Sequence, residues 1–345
     1  MTQEQGEEPQ VGDEERLVWS DAARNEVIAA FMSGLSDLSI WDFTPLYEDR
    51  IFHYTSHDGL LSIVKNRSLR ATRITHLNDA SELLTGQAVM REVLKDFQDL
   101  VSVDAKRLLD YLDERIAQAE IYVACCSKAA RDLTQLDRYG EVSIALDPND
   151  SLTCWDDENT MTRSIIESSM EKGWREVLYD ADEQRTWAEY LFGMMLGVAK
   201  QEYFFEEGYF ARDGLDLLLY WYGTFLAMCK NQHYEKEEEV RYVVHINSPS
   251  AIEHRASPVF GITPFVTLRH YSQQYSRDLG RAYGRKDAGQ PYKMPEIPRL
   301  KIEKVTIGSA PYKETAIQGV KSLFRTEGYP ETPVEVVMEE YRKVR

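Results

Sequence analysis

YEKEEEVRYVVHI, residues 234–246, sets Glu237, Glu239 and Arg241 at alternate positions leading into an apolar strand. Side chains on a strand alternate with period two. Pairing that begins near Glu237 therefore sends two carboxylates and a guanidinium to one face of a sheet, and Val240, Tyr242 and Val244 to the other. Like charges side by side are unfavourable unless a cation, a proton or a ligand sits between them. The plain alternative is an edge strand that wears charge against aggregation.

Outward from this strand, short apolar strands and amphipathic helices alternate. On the N-terminal side the patterns predict a helix over 16–35, strands over 51–54 and 69–74, and a helix from the Ser56 cap through Lys65. Further helices are expected over 81–97 and 104–119, with strands over 121–127 and 142–146. From Met161 to Cys229 almost everything reads as helix. Strands return at 240–246, 261–268, 300–307 and 334–337, with a helix over 314–327 between the last two. Strands drawn from both halves of the chain predict an α+β core, residues 51–345, that carries a helical insertion at about 152–231. A helical extension over 16–50 and an acidic tail over 1–15 precede it.

Composition narrows the class. With 43% apolar and 28% charged residues the chain reads as an ordinary globular protein. No run of eighteen apolar residues occurs, which argues against a membrane span, and no basic-then-apolar leader opens the chain, so the cytoplasm is the expected compartment. Cys125, Cys126, Cys154 and Cys229 lack metal-ligand spacing and read as buried, reduced thiols. A formal net charge of −18 opposes unspecific attraction to polyanions. Part of that charge lies in residues 1–15, which hold six acids and no lysine or arginine and have the composition of a disordered tail. The opposite bias appears over 269–304, where nine basic residues outnumber four acids and tyrosines are interleaved. That mixture suits a local nucleic-acid contact. It suits a plain amphipathic helix and loop equally well.

A second constellation, FHYTSHDGLLSIVKNRSLRATRITHLNDASE, spans Phe52 to Glu82. His53 and Thr55 share a strand face, and the helix that follows offers free backbone N–H groups and the positive end of its dipole, which favour a phosphate. Asn78, Asp79 and Glu82 close the segment as a polar turn. Histidine and threonine beside a helix N-terminus suit a nucleotide ligand; a capping Ser56 and a satisfied core histidine are the plain alternative.

The ordered set HYTS, LLSIVKNRSLRAT, HLNDASE, VACCS, LTQLDRYGEVSIALD, YEKEEEVRYV and IEKVTIGSA resembles a bacterial family known only as domain of unknown function 2971. The resemblance runs roughly from Ile51 to Arg342. Two departures stand out: Leu136, Asp137 and Arg138 replace the tryptophan and histidine usual before the tyrosine at 139, and Val240 replaces a usual tryptophan. At a distance the pattern is similar to the ADP-ribosyltransferase superfold, which implies a mixed, mostly antiparallel split sheet flanked by helices. The resemblance also implies that His53 on the first core strand holds a nicotinamide ribose and that Glu239, with Glu237 two before it, is the catalytic carboxylate. The middle element is left among Thr72, Thr75, Tyr54, Thr55 and Tyr139.

These residue types suit cleavage of the bond between nicotinamide and ribose. The carboxylate of Glu239 offsets an oxocarbenium-like centre, and Glu237 aligns or deprotonates an acceptor whose identity is open. Arg241 holds a phosphate or simply neutralises the two acids. NAD is then a substrate, and no metal is expected. Two other classes compete: a non-catalytic nucleotide-sensing or partner-binding module, and a Mg²⁺-dependent nuclease built on Asp79, Glu82, Glu237 and Glu239.

Overall fold

The structure is a computed structural model that describes residues 46–77, 82–97, 103–154, 173–200, 209–246, 249–291 and 293–338. The acidic tail, the helix expected over 16–35, and Asn78 and Asp79 lie outside the described residues. The helices are α1 (His57–Asn66), α2 (Glu82–Asp96), α3 (Val103–Gln118), α4 (Leu133–Tyr139), α5 (Ala181–Lys200), α6 (Tyr209–Met228), α7 (Gln273–Asp287) and α8 (Lys313–Glu327). The strands are β1 (Ile51–Thr55), β2 (Ser68–Arg73), β3 (Ile121–Ser127), β4 (Val142–Leu146), β5 (Leu152–Cys154), β6 (Arg175–Glu176), β7 (Glu239–His245), β8 (Ile252–Ser257), β9 (Gly261–His270), β10 (Ile302–Ser309) and β11 (Val334–Met338).

All the strands belong to one sheet, antiparallel throughout except for the parallel β10–β11 pair. The fold is thus α+β with a mixed, mostly antiparallel sheet. Its central strand is β3. Along one edge β7 pairs with all seven residues of β3, from Ile121 opposite His245 to Ser127 opposite Glu239. The other edge is therefore shared. β1 meets it at its C-terminal end, Phe52 opposite Ser127, while β2 meets it near its N-terminal end, Thr72 opposite Val123. Two strands on one edge must diverge, so the sheet splits between them. One half continues through β4, β10 and β11, the other through β9, with β5 and β8.

Alternation sorts the side chains of β3 into two cores. Tyr122, Ala124 and Cys126 join Val240, Tyr242 and Val244 of β7 and the apolar face of α1, Leu60, Ile63 and Val64. Ile121 and Val123 pack on the opposite side against residues of α2, α3, α5 and α6. Hydrophobic burial on both faces makes β3 and β7 apolar almost throughout, which is why VACCS and VRYVV read so clearly as strands. Glu239 and Arg241 interrupt that pattern.

The segment 152–231 differs from its expected helical character. α5 and α6 account for much of it, yet β5 adds to the sheet beside β9 and β6 pairs with β7. Leu152 and Trp174 enter the same core as α1. Two- and three-residue strands are too short to show a period, and Trp174 beside charged residues resembles a helix face. At the described end of the N-terminal extension, Leu46 bridges Arg175 and the Tyr47 N–H donates to the Trp174 carbonyl at 2.8 Å.

Candidate functional site

Where β1 and β2 diverge, a cleft of about 700 Å³ opens, within the range of small-molecule sites. β1 contributes Phe52 to Thr55, α1 its N-terminal turn, and β2 contributes Ser68, Arg70 and Thr72. β3 supplies Val123, Cys125 and Cys126 as the floor; Tyr139, Lys230, Glu237, Glu239 and Arg241 close the far wall. His53, Tyr54, Thr55, Thr72, Tyr139, Glu237, Glu239 and Arg241, named from the sequence, thus line one cleft. Thr75 is not among its lining residues; its hydroxyl lies 2.9 Å from His76 Nδ1. Glu82 begins α2.

The charged triplet differs from its sequence reading in one respect. Glu239 and Arg241 lie on β7, but Glu237 does not: it ends a 3-10 turn over Gln232–Glu237, and Glu238 takes a left-handed conformation at φ 44°. The chain reverses at Glu238, so the two carboxylates converge across a bend instead of projecting side by side from a strand. A run of glutamates offers no glycine or proline to announce such a turn.

Lys230 is the cation that makes their approach tolerable. Its Nζ donates to Glu237 Oε2 and to Glu239 Oε2, each at 2.7 Å. Arg241 grips Glu239 as a fork, Nε to Oε1 and one terminal nitrogen to Oε2, both at 2.9 Å, and spends its other terminal nitrogen on the Ala227 carbonyl at 2.6 Å. The Glu239 backbone N–H donates to the Tyr179 hydroxyl at 3.0 Å. Burial alone would raise the Glu239 pKa, but the Arg241 charge and then the Lys230 charge outweigh it and bring the carboxyl down to about 2. Glu239 is therefore a buried anion at every physiological pH.

Glu237 accepts from Arg138 at 2.6 Å and from the Tyr139 hydroxyl at 3.2 Å. Arg138 thus sets a second cation beside Lys230 on Glu237. Gln135 donates to both Ser127 Oγ and the Glu237 carbonyl at 2.9 Å, which ties α4 to the end of β3 and to the turn. The Tyr54 hydroxyl is taken up in the same region, donating to the Ala129 carbonyl at 2.6 Å and accepting from the Asp132 N–H at 3.0 Å. Tyr54 thus braces the wall of the cleft. Lys230, Gln135 and Arg138 carried no sequence signal, because their roles depend on separations in the chain that follow no period.

Across the cleft, His53 Nδ1 lies 3.0 Å from the Cys125 carbonyl. A carbonyl only accepts, so Nδ1 carries the proton and Nε2 remains an acceptor. Burial lowers the His53 pKa, so the ring is neutral. Ser56 caps α1 by accepting from the Gly59 N–H at 3.1 Å, as its position in the sequence suggests. Counted over the lining, Arg70, Lys230, Arg241 and Arg255 face Asp58, Glu237 and Glu239, a local excess of positive charge on a chain of net charge −18. That balance favours an anionic ligand. Among the described residues no group of three or more His, Cys, Asp or Glu side chains is placed to hold a metal ion, and no helix is long and apolar enough to cross a membrane.

Comparison of the chain with protein-family models, with curated proteins and with solved structures finds no match.

Proposed function

We propose that this chain binds a nicotinamide dinucleotide in the cleft, as the distant resemblance of its pattern to the ADP-ribosyltransferase superfold implies. It then consumes the dinucleotide by transferring ADP-ribose to a macromolecular acceptor or by hydrolysing NAD. The observation that carries the reading is that His53 and Glu239, far apart in the chain, line one cleft at the split of the sheet. The bond between the nicotinamide nitrogen and ribose C1′ breaks, and its electron pair leaves with nicotinamide. Ionised Glu239 offsets the positive charge left on the ribose. Water or an acceptor then bonds to C1′ and gives its proton to Glu237, which Arg138, Tyr139 and Lys230 hold in place. Neutral His53 offers a hydrogen-bond acceptor to a ribose hydroxyl, and Arg70 and Arg255 offer charge to the diphosphate. The setting proposed is the bacterial cytoplasm, in stress or phage defence.

The test is release of nicotinamide from NAD, measured with and without candidate acceptors, for the natural protein and for Glu239→Gln. Release that falls at least roughly a hundredfold in a folded variant supports the reading. No release under any condition, or unchanged release in the variant, overturns it.

One observation favours a second reading. Both oxygens of Glu239 are already occupied by Arg241 and Lys230, an arrangement that also serves a nucleotide-sensing or partner-binding module without turnover. Titration calorimetry with NAD and ADP-ribose separates the two: binding without product identifies the module.

A further inference from the structure

A second concavity, about 490 Å³, lies beside the cleft over the C-terminal end of α1 and the β2–β9 ladder. Register explains its chemistry. Ser68 pairs with Arg269, Leu69 with Leu268, Arg70 with Thr267 and Ala71 with Val266. Leu69, Ala71, Val266 and Leu268 are buried in the core, so Ser68, Arg70, Thr267 and Arg269 must project from the other face. The concavity is lined by Lys65, Arg67, Arg70 and Arg269 against Glu253 and Glu296.

Both acids have partners. Glu296 pairs with Arg67, which also donates to the Ile297 carbonyl at 2.6 Å, and Glu253 accepts from the Thr267 hydroxyl. Among the described residues no acid pairs with Lys65, Arg70 or Arg269. Arg70 lies with its guanidinium 5.0 Å from the centre of the Phe265 ring and reaches Ser62 Oγ at 3.3 Å. Arg269 Nε is buried with no hydrogen-bond acceptor among the described residues. A buried N–H without an acceptor is costly, and Arg269 lines the concavity, where an oxyanion would offer its guanidinium a partner. Arg70 and Ser68 line both the cleft and this concavity, so the two share a wall.

We infer that this concavity is a second binding site, for a phosphate or pyrophosphate group, with Arg269, Arg70 and Lys65 as its cations. The inference stands apart from whether the cleft cleaves a glycosidic bond, because Arg269 and Lys65 line the concavity alone. A phosphate has oxygens enough to meet the guanidinium groups of Arg269 and Arg70 and the Lys65 ammonium together. The shared Arg70 makes occupancy of the two sites interdependent.

Sodium pyrophosphate is the probe, titrated calorimetrically into the full chain at low ionic strength. Pyrophosphate should bind, and R269Q, at a residue that lines the concavity and not the cleft, should weaken that binding at least roughly tenfold, the loss expected for one charge-assisted hydrogen bond. Lys65 is exposed at a helix end, so K65Q serves as the variant that folds regardless and should weaken binding several-fold. Arg281, 74% exposed on α7, serves as the control for unspecific charge, and R281Q should bind as the natural protein does. No heat up to millimolar pyrophosphate, unchanged binding in K65Q, or an equal loss in R281Q would each overturn the site.

Discussion

Lys230 holds together two carboxylates that would otherwise repel each other inside the protein. Its removal leaves Glu239 with Arg241 and the Cys125 side chain, and Glu237 with its partners on α4. Breaking a buried ion network by deleting one member costs roughly 3 kcal/mol, so Lys230→Met should lower unfolding stability by about that amount at pH 7, read from urea denaturation. The same network fixes the sign of the pH dependence. The folded pKa of Glu239 is depressed from 4.5 to about 2. Its contribution is therefore present above the unfolded value and is lost as pH falls from about 4.5 toward 2, a loss of roughly 3 kcal/mol. In Lys230→Met the depression shrinks, so the deficit should narrow as pH approaches 2; a deficit equal at pH 7 and pH 2.5 would show that Lys230 does not act through the carboxylates. Glu239 and Arg241 were legible at this scale from alternation alone. Lys230 was not, because an ammonium that reaches two acids across a bend leaves no spacing to read.

Elements with a strong local signal appear where the sequence places them. β3 and β4 coincide with the apolar runs 121–127 and 142–146, and α1 follows its Ser56 cap. Weakly signalled elements escaped. α4 is the LTQLDRY stretch itself, seven residues or about two turns, shorter than the window over which helical periodicity is read. It matters because Gln135, Arg138 and Tyr139 all come from it. Its end at Gly140 has φ 133°, and a Cβ there would stand 2.4 Å from the Thr55 carbonyl carbon and 2.5 Å from the Ser56 nitrogen. Both the backbone conformation and the contact exclude a side chain. Gly140→Ala should therefore displace the β1–α1 junction, cost about 2 kcal/mol or more in thermal stability, and weaken any ligand that binds against Thr55 and Ser56. A melting temperature equal to that of the natural protein would contradict that placement.

Across the whole molecule, β3 and β7 are shared by two cores. Cys126 lies in the core under α1, Cys229 in the core among α2, α3, α5 and α6, and burial raises the pKa of both thiols. Since both cores lean on the same two strands, they should open together. Cys126 and Cys229 should resist a thiol reagent in the native protein and become labelled with one common dependence on denaturant, resolved by peptide mass spectrometry; separate dependences would mean that the cores unfold independently. Local patterning sufficed for the α+β class, most strand positions, the cap of α1 and the charge pair on β7, because period, capping and turn chemistry act between near neighbours in the chain. It could not show that β1 and β2 share one edge of β3, that a cleft opens at their divergence, or that Lys230 sits between Glu237 and Glu239. Those features arise from contacts between residues distant in sequence, and only packing of the two cores against a common pair of strands brings them together.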